Sequence, residues 1–325
     1  MSYGRILKPR IYVCHAAHQV LRGTSPAGII DLKTGTLTTG SDERDLLALR
    51  PQAVTSFNCD GSSTHLTLSI DLQVAQSISF VAILNHNLAA AGSIIRIAHH
   101  TSGIAGPGEG TAVTPTYLIG TKHASGYVTS DGNHLLTFEA VSKRYWAVEI
   151  EDIEDNANFL VDANIGSIMI GTYWDAPYSP DLEVSRRLEH DGVDIIETRG
   201  GRRHANVAWL SGSEGSALPY GAAFRRNEMT TATEEHTGRR VYDMTFSRLA
   251  DTAIDPSNFS DDMTASTEWR SVVSRMGGGA LPCIFTPDGT SAVAGDYMLA
   301  RVYPGQERQV APKVWTVSAR IEEEF

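Results

Sequence analysis

Histidine, serine and acidic side chains are the residues of this 325-residue chain whose chemistry would support catalysis or metal binding. The eleven histidines show no zinc-type spacing, and the adjacent His99 and His100 would face opposite sides of a strand. No Gly-x-Ser-x-Gly sequence is present, and the glycine-rich stretch around Ser213 is not followed by a helical pattern. The sequence therefore predicts no nucleophilic or zinc-dependent catalytic centre.

Carboxylates cluster between Glu149 and Asp155, directly after an apolar strand pattern. Glycoside hydrolysis would need two of them facing one cleft at roughly 5–9.5 Å, a spacing that a sequence pattern does not specify. Next to a strand end, a solvated loop or a structural Ca²⁺ site are the other interpretations. We expect no cofactor, with Ca²⁺ kept as the alternative.

Two short polar or aromatic segments are candidate ligand or docking surfaces. At the corner after a buried strand, a histidine ring between two asparagines would hold a structural turn, contact a glycan hydroxyl or ligate a metal, and we favour the turn. A later group of aromatic residues would stack on a sugar or fill a boundary between domains, and we favour the boundary. The candidates are Asn85, His86, Asn87, Tyr173 and Trp174.

The charge pattern disfavours a nucleic-acid partner. The formal net charge is −11 and the pI is near 5.4, without a long basic stripe. Three arginine pairs nevertheless occur within residues 200–325, and arginine binds carboxylates bidentately at subunit interfaces. The predicted interface residues are Arg202, Arg203, Arg225, Arg226, Arg239 and Arg240.

Cysteine usage and apolar runs indicate a protein made in a cytoplasm. Cys14, Cys59 and Cys283 are far apart, which favours reduced thiols over a disulfide framework. The first residues lack the apolar run of a signal peptide. No window reaches the roughly 20 apolar residues of a membrane helix, so we expect no membrane insertion.

Apolar periodicity predicts a mainly β chain in two domains. Ser77–Leu84 is too continuously apolar for a strand with one wet face, so we expect it to be buried on both sides. The clearest helical pattern runs from about Met263 to Met276, where an apolar stripe begins at Trp269 and Gly277 supplies a stop.

The order of the strand motifs in the first half resembles a galactose-binding-like (discoidin-type) jelly roll. The motifs are the Asp71-Leu72 strand end, then 78–88, 143–150 and 165–171, and the resemblance covers about residues 50–172. It implies a β-sandwich in which a final strand returns beside the N-terminal one. The version with Asn85-His86-Asn87 is similar to domains of bacteriophage tail and virion structural proteins.

The second half is similar to the C-terminal portions of phage minor tail and baseplate proteins. This resemblance rests on a helix followed by Gly277-Gly278-Gly279, on 281–288, and on a closing tryptophan strand with a Glu-Glu pair at 315–323. One departure is Cys283, which stands where that family carries an aromatic residue before Ile284.

These patterns predict a galactose-binding-like jelly-roll β-sandwich followed by a second β-rich domain with one amphipathic helix. The predicted parts are an N-terminal extended arm (1–49), the sandwich (50–172), a linker or arm (173–199) and an assembly domain (200–325).

The resemblances imply a non-enzymatic structural component of a phage tail or baseplate, located in the virion. It would assemble into a symmetric oligomer, with copies of itself, other tail proteins and a host-surface glycan as partners. The alternative is a carbohydrate-binding module of a glycan-handling protein, and a hydrolase using the acids of 149–155 is the third hypothesis.

Overall fold

The computed structural model describes residues 8–59, 65–124, 126–152, 159–181, 184–189, 193–197, 203–207, 239–254 and 268–324. The strands are β1 Arg10–Cys14, β2 Ile30–Thr34, β3 Thr55–Phe57, β4 His65–His86, β5 Ser93–His100, β6 Thr111–Ala112, β7 Thr116–Ile119, β8 Gly132–Asp152, β9 Ala163–Asp175, β10 Ser185–Glu189, β11 Val193–Glu197, β12 Arg203–Val207, β13 Arg239–Ala250, β14 Cys283–Thr286, β15 Met298–Ala311 and β16 Val314–Glu323. The α-helices are α1 His15–Leu21, α2 Asp251–Ile254 and α3 Trp269–Arg275. Within these residues, no helix has the length and apolar character needed to cross a membrane.

Two long bent strands, β4 and β8, build the jelly-roll β-sandwich. They pair antiparallel along most of their length, with shifts in register after Asp71 and after Ile78. Before this bend β4 also pairs with β2, and after it with β9. Each strand therefore contributes to both layers. The layers enclose the sandwich core, the cluster that includes Leu68, Ile83 and Trp146.

The predicted strand Ser77–Leu84 lies within β4, and its apolar residues from Ile78 to Leu84 are all fully buried. Helix α1 packs on β4 and β9, and its residues Ala16 and Ala17 belong to the same hydrophobic cluster. Covering the sheet on both sides removes the need for a polar face. The prediction of burial on both sides is confirmed.

Strand β1 joins the two halves of the chain into one sheet. It pairs with β9 on one side and with β14 on the other, so that Tyr12 lies opposite both Tyr173 and Ile284. The predicted N-terminal arm at 1–49 is therefore wrong for the residues that the structure describes. These contain β1, α1 and β2, because their apolar side chains are buried in the fold.

The C-terminal half adds β14, β15, β16, β13 and β10 to the same sheet and covers them with α3. Of the predicted helix, 269–275 is helical and 263–267 lies outside the described residues. Its predicted apolar stripe is confirmed, since Trp269, Val272 and Met276 are fully buried. They belong to the C-terminal core, the cluster that also includes Trp174 and Phe246.

The predicted linker at 173–199 is also wrong for the residues of that range that the structure describes. Strand β9 continues through Tyr173 to Asp175, and β10 forms an edge of the large sheet by pairing with β13. Strand β11 pairs with β12 in a separate two-stranded sheet. Backbone pairing rather than an extended spacer thus connects the two halves.

A methyl group at Gly171 would test the joint between β9 and β1. A Cβ there would lie 1.9 Å from the backbone carbonyl oxygen of Val13, which cannot move without breaking the pairing. We expect Gly171→Ala to lower the free energy of unfolding by about 1–3 kcal/mol, measured by urea unfolding. Gly106→Ala is the control, because its Cβ would meet open space. Equal stability of the two variants would contradict this account of β1.

Candidate functional site

The two asparagines of the Asn85-His86-Asn87 corner hold backbone within the chain. Asn85 has a left-handed φ of 51°, and its Nδ2 donates to the carbonyl oxygen of Pro51 at 2.6 Å. Asn87 accepts from the backbone N–H of Asn164 at 2.7 Å and donates to the carbonyl of Asp162 at 2.9 Å. These bonds fix where β4 turns away from β9, so the geometry is that of a structural turn.

His86 forms a buried pair with His134 on β8. The rings are stacked with centroids 4.6 Å apart, and His86 Nε2 lies 2.5 Å from His134 Nδ1. Because His86 Nδ1 accepts from the Leu88 N–H, its proton is on Nε2 and is donated to His134. Burial lowers the pKa of His86 well below its usual value and that of His134 to about 4. The pair is neutral and buried within the fold.

A third buried histidine, His15, lies where the two cores meet. Its Nε2 contacts Nη1 of Arg275 and lies 2.9 Å from the hydroxyl of Thr172. Since a guanidinium only donates, His15 must accept through Nε2 and is therefore neutral. Burial and the Arg275 charge lower the pKa of His15 well below its usual value, and burial lowers the pKa of Arg275 to about 10.

Tyr173 and Trp174 face the two different cores. Trp174 is 2% exposed and packs with ring centroids 5.4 Å from Trp269 and 6.0 Å from Phe246. The Tyr173 ring packs against Tyr12 at 5.5 Å and lies under the guanidinium of Arg10 at 4.1 Å. Trp174 presents no exposed face for a sugar, and both rings fill the boundary between the halves.

The prediction that Arg240 lies at a subunit interface is wrong. Its side chain is 4% exposed and binds the fully buried carboxylate of Glu323 at 2.7 Å. It also donates to the carbonyl oxygens of Gly295 and Tyr297, which occupies the guanidinium within its own chain. Arg239 lies 3.8 Å from Glu322. Arg203 lies in β12, and Arg202, Arg225 and Arg226 are outside the described residues.

The acids of 149–155 do not form a cleft in the described part of the chain. Glu149 is fully buried and pairs with Arg96 on the neighbouring strand β5. Residues 153–158 lie outside the described residues, and elsewhere in the described ranges no three or more His, Cys, Asp or Glu residues are grouped to hold a metal. Glu149 therefore has no access to a substrate, and the Ca²⁺ alternative stays a prediction.

The candidate site is a groove of about 220 Å³ on the outer face of the sandwich layer that contains β2. One side is formed by 27–33, and the other by the loop at Gly103 and Ile104. Its polar and aromatic lining residues are Asp31, Lys33, Ser69, Asp71 and Tyr145, and Ile104 adds an apolar side chain.

Strand register brings these side chains to one face. Asp31 lies opposite Ser69, and Asp71 lies opposite Tyr145. Because side chains alternate along a strand, the neighbours of these residues, such as Ile70 and its partner Trp146, point into the sandwich core. The same alternation that fills the core therefore places a row of polar groups in the groove.

Two ion pairs hold the carboxylates of the groove. Arg144 donates from Nε and Nη2 to the two oxygens of Asp71 at 2.6 and 2.7 Å. The backbone N–H of Gln73 donates to the same carboxylate at 2.7 Å. On β2, Lys33 pairs with Asp31. The groove thus presents hydrogen-bonding groups of both signs with little net charge.

The loop that forms one wall is anchored by a small apolar contact. Ile104 is 4% exposed and packs against Ala98 and Ala147 on the outer face of the sheet. Arg96 donates to the carbonyl of Gly110 at 3.3 Å, which ties the end of the loop to β5. The alternation of Ser69 and Asp71 with core residues was the available signal for the groove.

The chain has low-identity likenesses to solved carbohydrate-binding modules. Chitosan-binding module 1 of a chitosanase/glucanase from Paenibacillus sp. IK-5 is 14% identical, with 44% of this chain and 93% of that chain covered and a TM-score of 0.32. The module CBM32-3 of a family 31 glycoside hydrolase from Clostridium perfringens is 10% identical, covering 45% and 93%, with a TM-score of 0.33.

A family 32 carbohydrate-binding module from C. perfringens in complex with galactose is also 10% identical, covering 50% of this chain and 98% of that chain, with a TM-score of 0.34. No protein-family model and no curated protein matches the chain. At these identities the likenesses concern the fold and say nothing about which residues bind a ligand.

The buried neutral histidines predict acid lability. Folding lowers the pKa of these histidines, so as the pH falls they are protonated in the unfolded chain before they are protonated in the folded one. The free energy of unfolding is therefore highest above about pH 6.5 and decreases toward pH 4. Each histidine changes the free energy of unfolding by at most about 1.4 kcal/mol per pH unit. We expect the urea midpoint to fall between pH 7 and 5, and His134→Gln to reduce that fall.

The control for this prediction is His100→Gln, at the half-exposed end of β5. It should keep the pH dependence of the unmodified chain. A urea midpoint that is flat from pH 7 to pH 5 would show that His15, His86 and His134 do not act in this way.

Proposed function

We propose that this chain is a non-enzymatic carbohydrate-binding protein that takes a sugar into the groove of its jelly-roll domain. The observation that carries the proposal is the groove itself, which is lined by Asp31, Lys33, Ser69 and Asp71 together with the ring of Tyr145. Sugar hydroxyls donate and accept hydrogen bonds, and paired carboxylates and cations supply both kinds of partner.

The size and the shape of the groove support a small ligand. Its volume of about 220 Å³ lies below the 300–1,000 Å³ of sites for drug-sized molecules. The half-buried ring of Tyr145 offers an apolar surface for the C–H face of a sugar ring. A single sugar unit, or the end of a longer glycan, fits these dimensions.

The ion pairs favour binding over turnover. Asp71 accepts three hydrogen bonds from Arg144 and Gln73, and Asp31 is paired with Lys33. A carboxylate that acts as general acid or nucleophile has to exchange a proton or attack a carbon, and these contacts occupy the oxygens instead. This arrangement supports a site that holds its ligand unchanged.

Asp71→Asn tests the proposal, because it keeps the shape of the side chain and removes its charge. We expect the full chain to bind immobilised glycans on an array and Asp71→Asn to lose at least about tenfold in affinity, as expected for a charge-assisted hydrogen bond. Glu139→Gln, exposed on β8, is the control. Equal binding by Asp71→Asn and the unmodified chain would remove the groove as the site.

As a second candidate function, we propose that this chain is a subunit of a symmetric phage tail or baseplate assembly, as the sequence resemblances imply. The supporting observation is the hairpin of β15 and β16. Strand β14 pairs only with Met298 to Ala300 of β15, and most residues from Tyr303 to Ala311 are exposed. Val310 is 52% exposed, and Arg308 and Lys313 lie in the same hairpin.

Charge supports a second copy as the partner of this hairpin. The chain carries a net charge of −11, whereas the hairpin end carries Arg308 and Lys313, with Glu307 already paired with Arg270. A basic projection that meets an acidic surface elsewhere on an identical chain is a head-to-tail contact, which closes into a ring or extends into a filament. Such a protein would be made in the host cytoplasm and incorporated into the virion.

Size-exclusion chromatography with light scattering tests this second candidate. We expect a mass that is a multiple of 35.2 kDa for the unmodified chain, and the monomer mass after Arg308→Glu with Lys313→Glu. The control is Arg44→Glu, an exposed arginine in another part of the chain. A chain that stays monomeric at every concentration would exclude self-assembly through the hairpin.

A further inference from the structure

We propose that Arg144 is the positioning residue of the groove, and that the two ion pairs make the groove select uncharged sugars over charged ones. This inference rests on the proposed carbohydrate-binding function and adds to it a residue and a ligand class. Arg144 lies beside the groove and acts through two groups that line it, Asp71 and Tyr145.

The first step is the restraint on Asp71. Arg144 binds both carboxylate oxygens in a bidentate arrangement, and the Gln73 N–H binds one of them from the backbone. Three hydrogen bonds fix the plane of the carboxylate, so that its remaining lone pairs have one orientation relative to the groove. Without the guanidinium, only the bond from the Gln73 N–H to one oxygen would restrain Asp71, and the plane of its carboxylate could rotate.

The second step is the contact with Tyr145. The guanidinium carbon of Arg144 lies 4.8 Å from the centroid of the Tyr145 ring. One planar cation thus contacts both the carboxylate and the aromatic ring of the site. Lysine does not reproduce this arrangement, because its ammonium group lacks the fork that binds two oxygens at once.

The third step concerns charge. The groove contains Asp31 with Lys33 and Asp71 with Arg144, so each negative charge has a positive partner on or beside the surface of the groove. An anionic sugar would place its carboxylate against Asp31 and Asp71, and a cationic sugar would compete with Lys33 and Arg144. An uncharged sugar hydrogen-bonds to these groups without separating either pair.

A double-mutant cycle separates positioning from direct contact. Arg144→Gln should weaken binding of galactose about tenfold in the chain with Asp71, and have less than a twofold effect in the Asp71→Asn background. Arg144→Lys should behave like Arg144→Gln, while the urea midpoints stay within the range of the unmodified chain. Additive losses in the two backgrounds would overturn the positioning role, as would full binding by Arg144→Lys.

Ligand selectivity is measured on the full chain by calorimetry with galactose, galacturonate and galactosamine, which share a ring and differ in charge. We expect galactose to bind at least tenfold more tightly than either charged sugar at pH 7. Equal or tighter binding of galacturonate or galactosamine would overturn the selectivity and leave carbohydrate binding intact. Failure to bind all three, together with an empty glycan array, would instead overturn the proposed function.

Discussion

The whole structure depends on the pairing of β1 with β9 and β14. Alternate residues of this one strand belong to different cores, since Tyr12 lies in the sandwich core and Ile11 and Val13 lie in the C-terminal core. The strands around it divide their side chains in the same way: in β14, Ile284 faces one core and Phe285 the other. A single layer of backbone thus separates two hydrophobic clusters and belongs to both.

The groove depends on the same alternation at the opposite layer of the sandwich. Leu68 and Ile70 must be buried to fill the core, which sends Ser69 and Asp71 outward. The loop around Ile104 then covers part of this outer face and leaves the groove beside it. The candidate site is therefore a consequence of core packing combined with one loop, and it needs no separate structural element.

Much of the fold follows from local patterns. The continuous apolar run of Ser77–Leu84 and the helical stripe from Trp269 to Met276 were sufficient to predict a doubly covered strand and a buried helix face. The order of motifs was sufficient for the jelly roll. The position of β1 inside the sheet, with a strand paired on each side, was not predicted because five residues carry too little periodicity to show it.

The site could not be predicted in the same way, because it is built by register between distant strands. Nothing near Asp71 in the sequence indicates that Asp31 and Tyr145 will lie beside it. Arg240 illustrates the same limit from the other direction. Its sequence neighbours indicate an exposed charge, whereas its partner Glu323 arrives from the final strand and removes it from solvent.

The position of β1 has a consequence for the order of folding. Its partner β14 lies near the other end of the described chain, so the loop that their pairing closes spans most of the sequence. Contacts of such high sequence separation form slowly, since the entropy of closing the loop is lost before the contacts stabilise the chain. During synthesis on the ribosome, β1 emerges long before β14. The face of β1 that carries Ile11 and Val13 therefore stays uncovered until the C-terminal strands have been synthesised.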